Sequence, residues 1–85
     1  MPVLKLLGGL RRFGGGQQQV SGKTVRDVLG RLPAQVLFPE GGLNRDLEVL
    51  VNGRNISFLA GLETALAPDD RVTIFLHGAR GYPGG

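Results

Sequence analysis

The residues of this chain with the clearest chemical potential are the last two, Gly84 and Gly85, which close a glycine-rich stretch that begins at His77. Glycine packs no side chain and raises the entropy of the unfolded chain, so a fold has no reason to end in this way. A carboxylate carried on two glycines is slim enough to thread a narrow channel into the active site of another protein. The pair is therefore the candidate reactive end, and the rest of the chain must build a body that carries it.

Other residues that could do chemistry are sparse. Gly22–Thr24 matches the end of a phosphate-binding loop, but Gln17 stands where that motif needs its first glycine. His77 is the one histidine, and the sequence has no cysteine. Ser21 and Ser57 lack the sequence context of a catalytic serine. We therefore expect no metal site and no hydrolytic centre, and predict a chain that is not itself an enzyme.

Length and composition indicate one small soluble domain. The chain has 85 residues, and dividing it would leave too little chain to bury a second core. No apolar run approaches the roughly 20 residues that span a bilayer. The start of the sequence also lacks the basic stretch and apolar core of a signal peptide. We therefore expect a cytoplasmic protein that does not contact membranes.

The net charge is +3, and the basic residues are scattered, with only Arg11 and Arg12 adjacent. A basic balance indicates either an acidic partner, protein or nucleic acid, or an ordinary solvated surface. Aromatic residues make up only 6% of the chain, too few for a base-stacking surface. Nucleic acid is therefore not an expected partner.

The first part of the chain predicts a hairpin. Val3–Leu7 reads as a strand in which Leu4 and Leu6 share the buried face. Gly8–Gly16 is a glycine-rich connection, and Gln17–Val20 is a weaker strand that should pair antiparallel with the first.

The clearest helix follows this hairpin. Its apolar stripe consists of Val25, Val28, Leu29 and Leu32. Thr24 is a good N-cap, and Asp27 three residues later completes a capping box with a shorter carboxylate than usual. Pro33 prevents the helix from continuing beyond Leu32.

The second half of the chain predicts an irregular crossover around residues 39–44 and then a further set of strands and turns. These elements are a strand over Leu47–Val51, a type I′ turn at Asn52-Gly53, a short returning strand over Arg54–Phe58, a helical turn within Leu62–Ala67, a turn at Pro68–Asp70 and a strand over Arg71–His77. The inner face of the last strand should comprise Val72, Ile74 and Leu76.

This order of elements predicts an α+β domain of the β-grasp type over residues 1–77, followed by a flexible tail over 78–85. The sheet should be mixed, with four or five strands and one main helix across one face. The first and last strands should lie side by side at its centre, which agrees with their high apolar content.

The opposite face of the sheet is a candidate docking surface. By the alternation of the strands, Phe75, Leu50 and Leu7 should point away from the core. An apolar patch in that position is typical of a protein interface, so we predict that these three side chains bind partners.

Most of the chain resembles the MoaD/ThiS family of ubiquitin-like sulfur carriers. The segments that carry the resemblance are Thr24–Leu29, Leu47–Ile56, Gly61–Leu66, Pro68–Phe75 and the terminal Gly84-Gly85. No single segment is specific, but their order is. The length of the chain is closer to that of the MoaD-like members.

The resemblance implies a mechanism and a set of partners. A ubiquitin-activator-like adenylating enzyme would join the Gly85 carboxylate to AMP, and a sulfur donor would displace AMP to leave a thiocarboxylate. This chain would bind no cofactor, since ATP and the sulfur donor belong to the partner enzyme. The resemblance to MoaD implies molybdopterin synthesis as the destination, with the large molybdopterin synthase subunit as a second partner.

The tail departs from the usual pattern of MoaD-like members, because its proline, Pro83, stands directly before Gly84. Proline stiffens the chain before the diglycine, so Pro83 and Gly84 are predicted to govern which partner accepts the tail. The alternatives are a sulfur carrier for tRNA thiolation or thiamine, or a ubiquitin-like modifier of lysines. A third is a plain interaction module or basic nucleic-acid binder.

Overall fold

The computed structural model describes residues 1–14 and 16–76, in which five strands form one mixed sheet of order β2-β1-β5-β3-β4. The strands are β1 (Val3–Leu6), β2 (Gln17–Gln19), β3 (Leu47–Val51), β4 (Arg54–Asn55) and β5 (Arg71–Leu76). β1 and β5 run parallel at the centre, and the other neighbouring strands are antiparallel. This topology confirms the predicted β-grasp fold. His77 and the predicted tail over 78–85 lie outside the described residues.

The core lies on the inner face of the sheet. Parallel pairing sets Leu4 beside Val72 and Leu6 beside Ile74, and none of these four side chains is more than 1% exposed. The helices that contribute to the same apolar cluster are α1 (Val25–Leu29) and α2 (Ala34–Leu37). Each fully buried side chain of this size contributes roughly 1.5–3 kcal/mol, so the cluster is the main driving force for folding.

The start of α1 is fixed by the predicted capping box. Thr24 Oγ1 accepts a hydrogen bond from the Asp27 N–H at 3.3 Å, and Asp27 Oδ2 accepts one from the Thr24 N–H at 3.2 Å. Asp27 Oδ2 also accepts from the Lys23 N–H at 2.9 Å. These backbone donors, that of Lys23 first, lower the pKa of Asp27.

Close packing explains Gly22, which precedes this capping box. A Cβ atom at Gly22 would lie 3.0 Å from both Asp27 Cβ and Val28 Cγ2. Because those two atoms belong to the first turn of α1, only glycine lets the chain approach the helix this closely. Gly22–Thr24 therefore has a structural role as a helix start.

α1 is shorter than predicted, because regular α-helix ends at Leu29 and the chain continues through single turns. The Leu32 N–H donates to Leu29 O at 2.9 Å, and Leu32 is buried with the rest of the predicted stripe. Pro33 ends this segment as expected but also caps α2, which the sequence did not predict.

In the part of the chain that the structure describes, no helix is long and apolar enough to cross a membrane.

One loop contains structure that was not predicted, and two predictions about the sheet are corrected. The glycine-rich connection contains a 3₁₀ helix, Gly8–Phe13, in which Leu10 is buried. The predicted returning strand stops at Asn55, because Asn55 Oδ1 accepts from the Ser57 N–H at 2.8 Å and starts a 3₁₀ turn over Ile56–Phe58. Leu76 is 46% exposed instead of buried, since it lies at the end of β5 beyond the helical cover.

The turn between β3 and β4 is held by Asn52. Asn52 and Gly53 have φ values of 53° and 85°, which fits the predicted type I′ turn. Asn52 Nδ2 donates to Asp70 Oδ1 at 3.0 Å, and Asn52 Oδ1 accepts from the Arg71 N–H at 3.0 Å. A hydrogen bond from the Ala67 N–H and this one from Asn52 lower the pKa of Asp70.

Candidate functional site

The outer face of the sheet brings together the three side chains predicted to bind partners. Phe75 and Leu50 lie on this face because their neighbours Ile74 and Val49 face the core. The Leu7 N–H donates to Ile74 O at 3.0 Å, which continues the parallel pairing and places Leu7 beside Phe75. Leu7, Leu50 and Phe75 are each half-buried, so they form a shallow apolar surface.

Polar side chains surround this apolar surface. Glu48 lies opposite Phe75 on β3, and its Oε1 accepts from Asn55 Nδ2 at 2.6 Å. On the other side, Lys5 pairs with Thr73, which places the Lys5 side chain on the outer face. The outer face therefore combines an apolar centre with a cation on one flank and a hydrogen-bonded carboxylate on the other.

The carboxyl end of the sheet is the end at which β1 and β5 both finish. β5 ends there at Leu76, which pairs with Leu47. The Gly8–Phe13 helix follows β1 directly and packs against β5. Its Arg11 and Arg12 side chains are exposed. At this end of the sheet, the apolar residue Leu76 and the two cations Arg11 and Arg12 therefore lie on the same part of the surface.

The predicted reactive residue Gly85 and the tail residues Gly84 and Pro83 lie outside the described residues. Leu76, the last described residue, ends the central strand at the carboxyl end of the sheet. Leu7 and Phe75, two of the side chains predicted to bind partners, therefore lie at the end of the sheet where β5 finishes.

Sequence reasoning missed the most exposed large apolar side chain of the described residues. Phe58 is 81% exposed and its neighbour Leu59 is 37% exposed. A strand over Arg54–Phe58 would have placed Phe58 on the same face as the buried Ile56. The signal that was available is Asn55, since an asparagine side chain often starts a turn by bonding the backbone two residues further on.

The surface depressions of the described residues offer no catalytic constellation. The one of about 680 Å³ is lined by the polar loop over 39–46. Another, of about 230 Å³, lies between α1 and α2 and is mostly apolar. Within the described ranges no group of three or more His, Cys, Asp or Glu residues could hold a metal ion.

Comparison with known proteins agrees with this description. A model of the ThiS family matches residues 4–78. A comparison with curated protein sequences finds no match.

Several solved structures share the fold. The small archaeal modifier protein 1 from Methanosarcina acetivorans is 32% identical, with a TM-score of 0.79 over 92% of this chain and 93% of that one. CysO from Mycobacterium tuberculosis is 28% identical, with a TM-score of 0.77 over 91% and 99% of the two chains. A chain from the BexX/CysO complex of Amycolatopsis orientalis is 27% identical, with a TM-score of 0.74 over 91% and 96%.

Proposed function

The chain belongs to the ThiS family of ubiquitin-like sulfur carriers, and on that premise we propose that it delivers sulfur as a thiocarboxylate on Gly85. The observation that carries the proposal is the family match over residues 4–78, joined to a central strand whose chain proceeds to Gly84 and Gly85. The fold supplies a body for recognition, and the two glycines supply a slim reactive end.

The chemistry has two steps, both in a partner enzyme. A Gly85 carboxylate oxygen attacks the α-phosphate of ATP and releases pyrophosphate, since a free carboxylate is a poor electrophile. A sulfur nucleophile at the oxidation level of sulfide then attacks the carbonyl carbon of the adenylate and releases AMP, so that its sulfur stays on Gly85 as the thiocarboxylate. This chain has no cysteine, so the nucleophile must come from the partner or from a separate sulfur donor.

The partner that performs these steps is a ubiquitin-activator-like adenylating enzyme, and the outer face of the sheet is its docking surface. Leu7 and Phe75 lie beside each other at the end of the sheet nearest the tail, and Leu50 lies diagonally across from Phe75. Apolar side chains in the centre of an interface supply most of its binding energy. Gly84 and Pro83 then determine whether the tail fits the channel.

The proposal is tested by intact mass spectrometry. The protein is incubated with ATP, a sulfur source and the adenylating enzyme of the same organism. The expected result is a gain in intact mass that equals replacement of one oxygen by sulfur, and a digest should assign it to the C-terminal peptide. The matched control carries one alanine appended after Gly85, which leaves the fold intact but blocks the reaction.

Two outcomes would overturn the proposal. The first is that the protein remains unmodified although the enzyme thiocarboxylates another carrier in the same assay. The second is that the alanine-extended variant reacts as well as the wild type. The same spectra show whether Gly85 is the last residue of the protein isolated from cells, which the mechanism requires.

The destination that we propose first is molybdopterin synthesis, with the large synthase subunit as acceptor partner. Protein modification is the second candidate, favoured by the 32% identity to a small archaeal modifier protein. The two are separated by deleting Gly84 and Gly85 in cells. Loss of molybdopterin without loss of lysine-linked adducts supports the first destination, and the reverse result supports the second. If the deletion abolishes tRNA thiolation or thiamine synthesis but affects neither molybdopterin nor the lysine-linked adducts, the first destination is overturned.

A further inference from the structure

We propose that Arg11 and Arg12 form a second docking element that binds an acidic surface beside the channel through which the adenylating enzyme receives the tail. The inference rests on the proposed function and adds two points to it. The surface of the partner is acidic, and Arg11 and Arg12 are the residues that bind it. The outer face of the sheet by itself indicates only that the partner has an apolar contact surface.

The position of the arginine pair follows from the parallel pairing of β1 and β5. Parallel neighbours finish at the same end of a sheet, and Leu6 pairs with Ile74 two residues before β5 ends. The Gly8–Phe13 helix begins directly after Leu7 and packs against β5. An enzyme that binds the protein at the end of the sheet where β5 finishes therefore meets the surface that carries Arg11 and Arg12.

The element that carries the pair is held in place at several points. Leu10, directly before Arg11, is only 1% exposed and anchors the helix in the core. The Leu10 N–H donates to Leu7 O at 3.2 Å, and the Gly14 N–H donates to Arg11 O at 3.2 Å. The Arg12 guanidinium lies 4.9 Å from the centre of the Phe13 ring, a cation–π contact that orients it. Less side-chain entropy is then lost on binding.

Neither guanidinium of the pair meets a carboxylate among the described residues. Among residues 1–14 and 16–76, Arg11 and Arg12 form no ion pair, whereas Arg26 pairs with Glu63 at 2.6 Å. Arg31 also has an internal partner, because its guanidinium donates to Gln18 Oε1 at 3.3 Å. Two adjacent uncompensated guanidinium groups attract carboxylates, to which arginine can form paired hydrogen bonds.

Continuity with the apolar surface favours a protein over a nucleic acid as the occupant. The helix begins after Leu7, which lies beside Phe75 on the outer face. An apolar centre bordered by charges is the usual arrangement of a protein interface. A single-strand nucleic-acid site would instead present exposed aromatic rings for base stacking, and Phe13 is half-buried beneath Arg12.

The test compares two double variants in a steady-state pyrophosphate-release assay with the adenylating enzyme. Arg11→Gln/Arg12→Gln removes the pair. Lys23→Gln/Arg54→Gln removes two exposed cations from the opposite end of the sheet, so both variants have the same net charge. A third variant, Arg11→Lys/Arg12→Lys, keeps the charge and loses only the guanidinium geometry. Thermal unfolding followed by circular dichroism shows that each variant is folded.

The pair is expected to act on binding more than on chemistry. Removing it should raise KM by about 10-fold at low ionic strength with little change in kcat, because charges at an interface rim act mainly through association. The difference should shrink as NaCl rises, since the screening length is about 10 Å at 0.1 M and about 3 Å at 1 M. The lysine variant should recover most of the loss.

Three results would overturn the inference while leaving the proposed function standing, provided that the wild type is thiocarboxylated. The first is an equal loss of activity in the two glutamine variants, which would assign the effect to net charge. The second is a KM that is unchanged in both variants. The third is that the arginine pair is needed to bind a labelled tRNA but has no effect on KM, which would make it a nucleic-acid site. Failure of the wild type itself would reject the proposed function first.

Discussion

The two ends of the sheet differ in how their polar groups are used. At the amino end, where β1 and β5 begin, Asn52 closes a turn by hydrogen bonding both Asp70 and the backbone of Arg71. At the carboxyl end, Arg11 and Arg12 are exposed and Leu76 remains 46% exposed. Hydrogen bonds that close within the chain stabilise it, whereas charge and apolar area left open are available to a partner. Substitutions at the two ends should therefore affect different measurements.

The largest expected effect is on partner binding at the carboxyl end. Phe75→Ala removes the central ring of the outer face, and kcat/KM for activation should fall by roughly 30-fold, as for a hot-spot side chain worth about 2 kcal/mol. The free energy of unfolding should fall by only about 1 kcal/mol, since the ring is half-buried. Pyrophosphate release and urea unfolding measure the two quantities.

The adjacent residue on the inner face is the matched comparison. Ile74 is fully buried, so Ile74→Ala should lower the free energy of unfolding by about 2–5 kcal/mol through the lost burial and the cavity it leaves. Activation, expressed per folded molecule, should change little. If Phe75→Ala and Ile74→Ala have the same ratio of binding loss to stability loss, the outer face has no separate role.

The next effect is on stability at the amino end. Asn52→Gly keeps a residue that tolerates the φ of 53° and removes both side-chain hydrogen bonds. The free energy of unfolding should fall by about 1–2 kcal/mol. Asn52→Ala should cost more, because alanine adds the strain of a positive φ at roughly 1–2 kcal/mol. Neither variant should change KM for activation, and a rise in KM would contradict the division between the two ends.

The sequence predicted the elements whose pattern is set by burial on one face. β1, β3 and β5 as far as Phe75 alternate because the inner face meets a continuous core, and the capping box of α1 involves only residues four or fewer positions apart. The same alternation predicted that Leu7, Leu50 and Phe75 share the outer face. These inferences needed only the local sequence pattern and the assumption that one face of the sheet packs against the core.

The rest depended on contacts that a local pattern does not contain. Ile56 and Phe58 are two residues apart, as the apolar residues on one face of a strand would be. The hydrogen bond from the Ser57 N–H to Asn55 Oδ1 instead turns the chain away from β3. α2 is a single turn, and Asn44, eight residues after Val36, donates from its Nδ2 to Val36 O at 2.9 Å. The adjacency of Arg11 and Arg12 was visible in the sequence. Their place beside the end of β5 follows only from the folded Gly8–Phe13 helix.

The smallest expected effect is the pH dependence of the amino end. Hydrogen bonds from the Ala67 N–H and Asn52 lower the pKa of Asp70 below its ordinary value of about 3.8. A carboxylate whose pKa is lower in the folded state stabilises the fold above its unfolded pKa, and this contribution is lost as pH falls through the folded pKa. Stability should therefore be flat from pH 7 to about 5 and decline below about pH 4.

Because Asp70 is only half-buried, solvent screens this contribution and the decline should be shallow. Asp70→Asn cannot accept both hydrogen bonds, so it should be less stable at pH 7 and lose less stability on acidification than the wild type. Asp69→Asn is the matched control, since Asp69 is exposed and makes no hydrogen bond among the described residues. Urea midpoints at pH 7 and pH 3 distinguish the three proteins. An equal pH response in the wild type and Asp70→Asn would mean that the turn linked to Asn52 does not hold the carboxylate in its charged form.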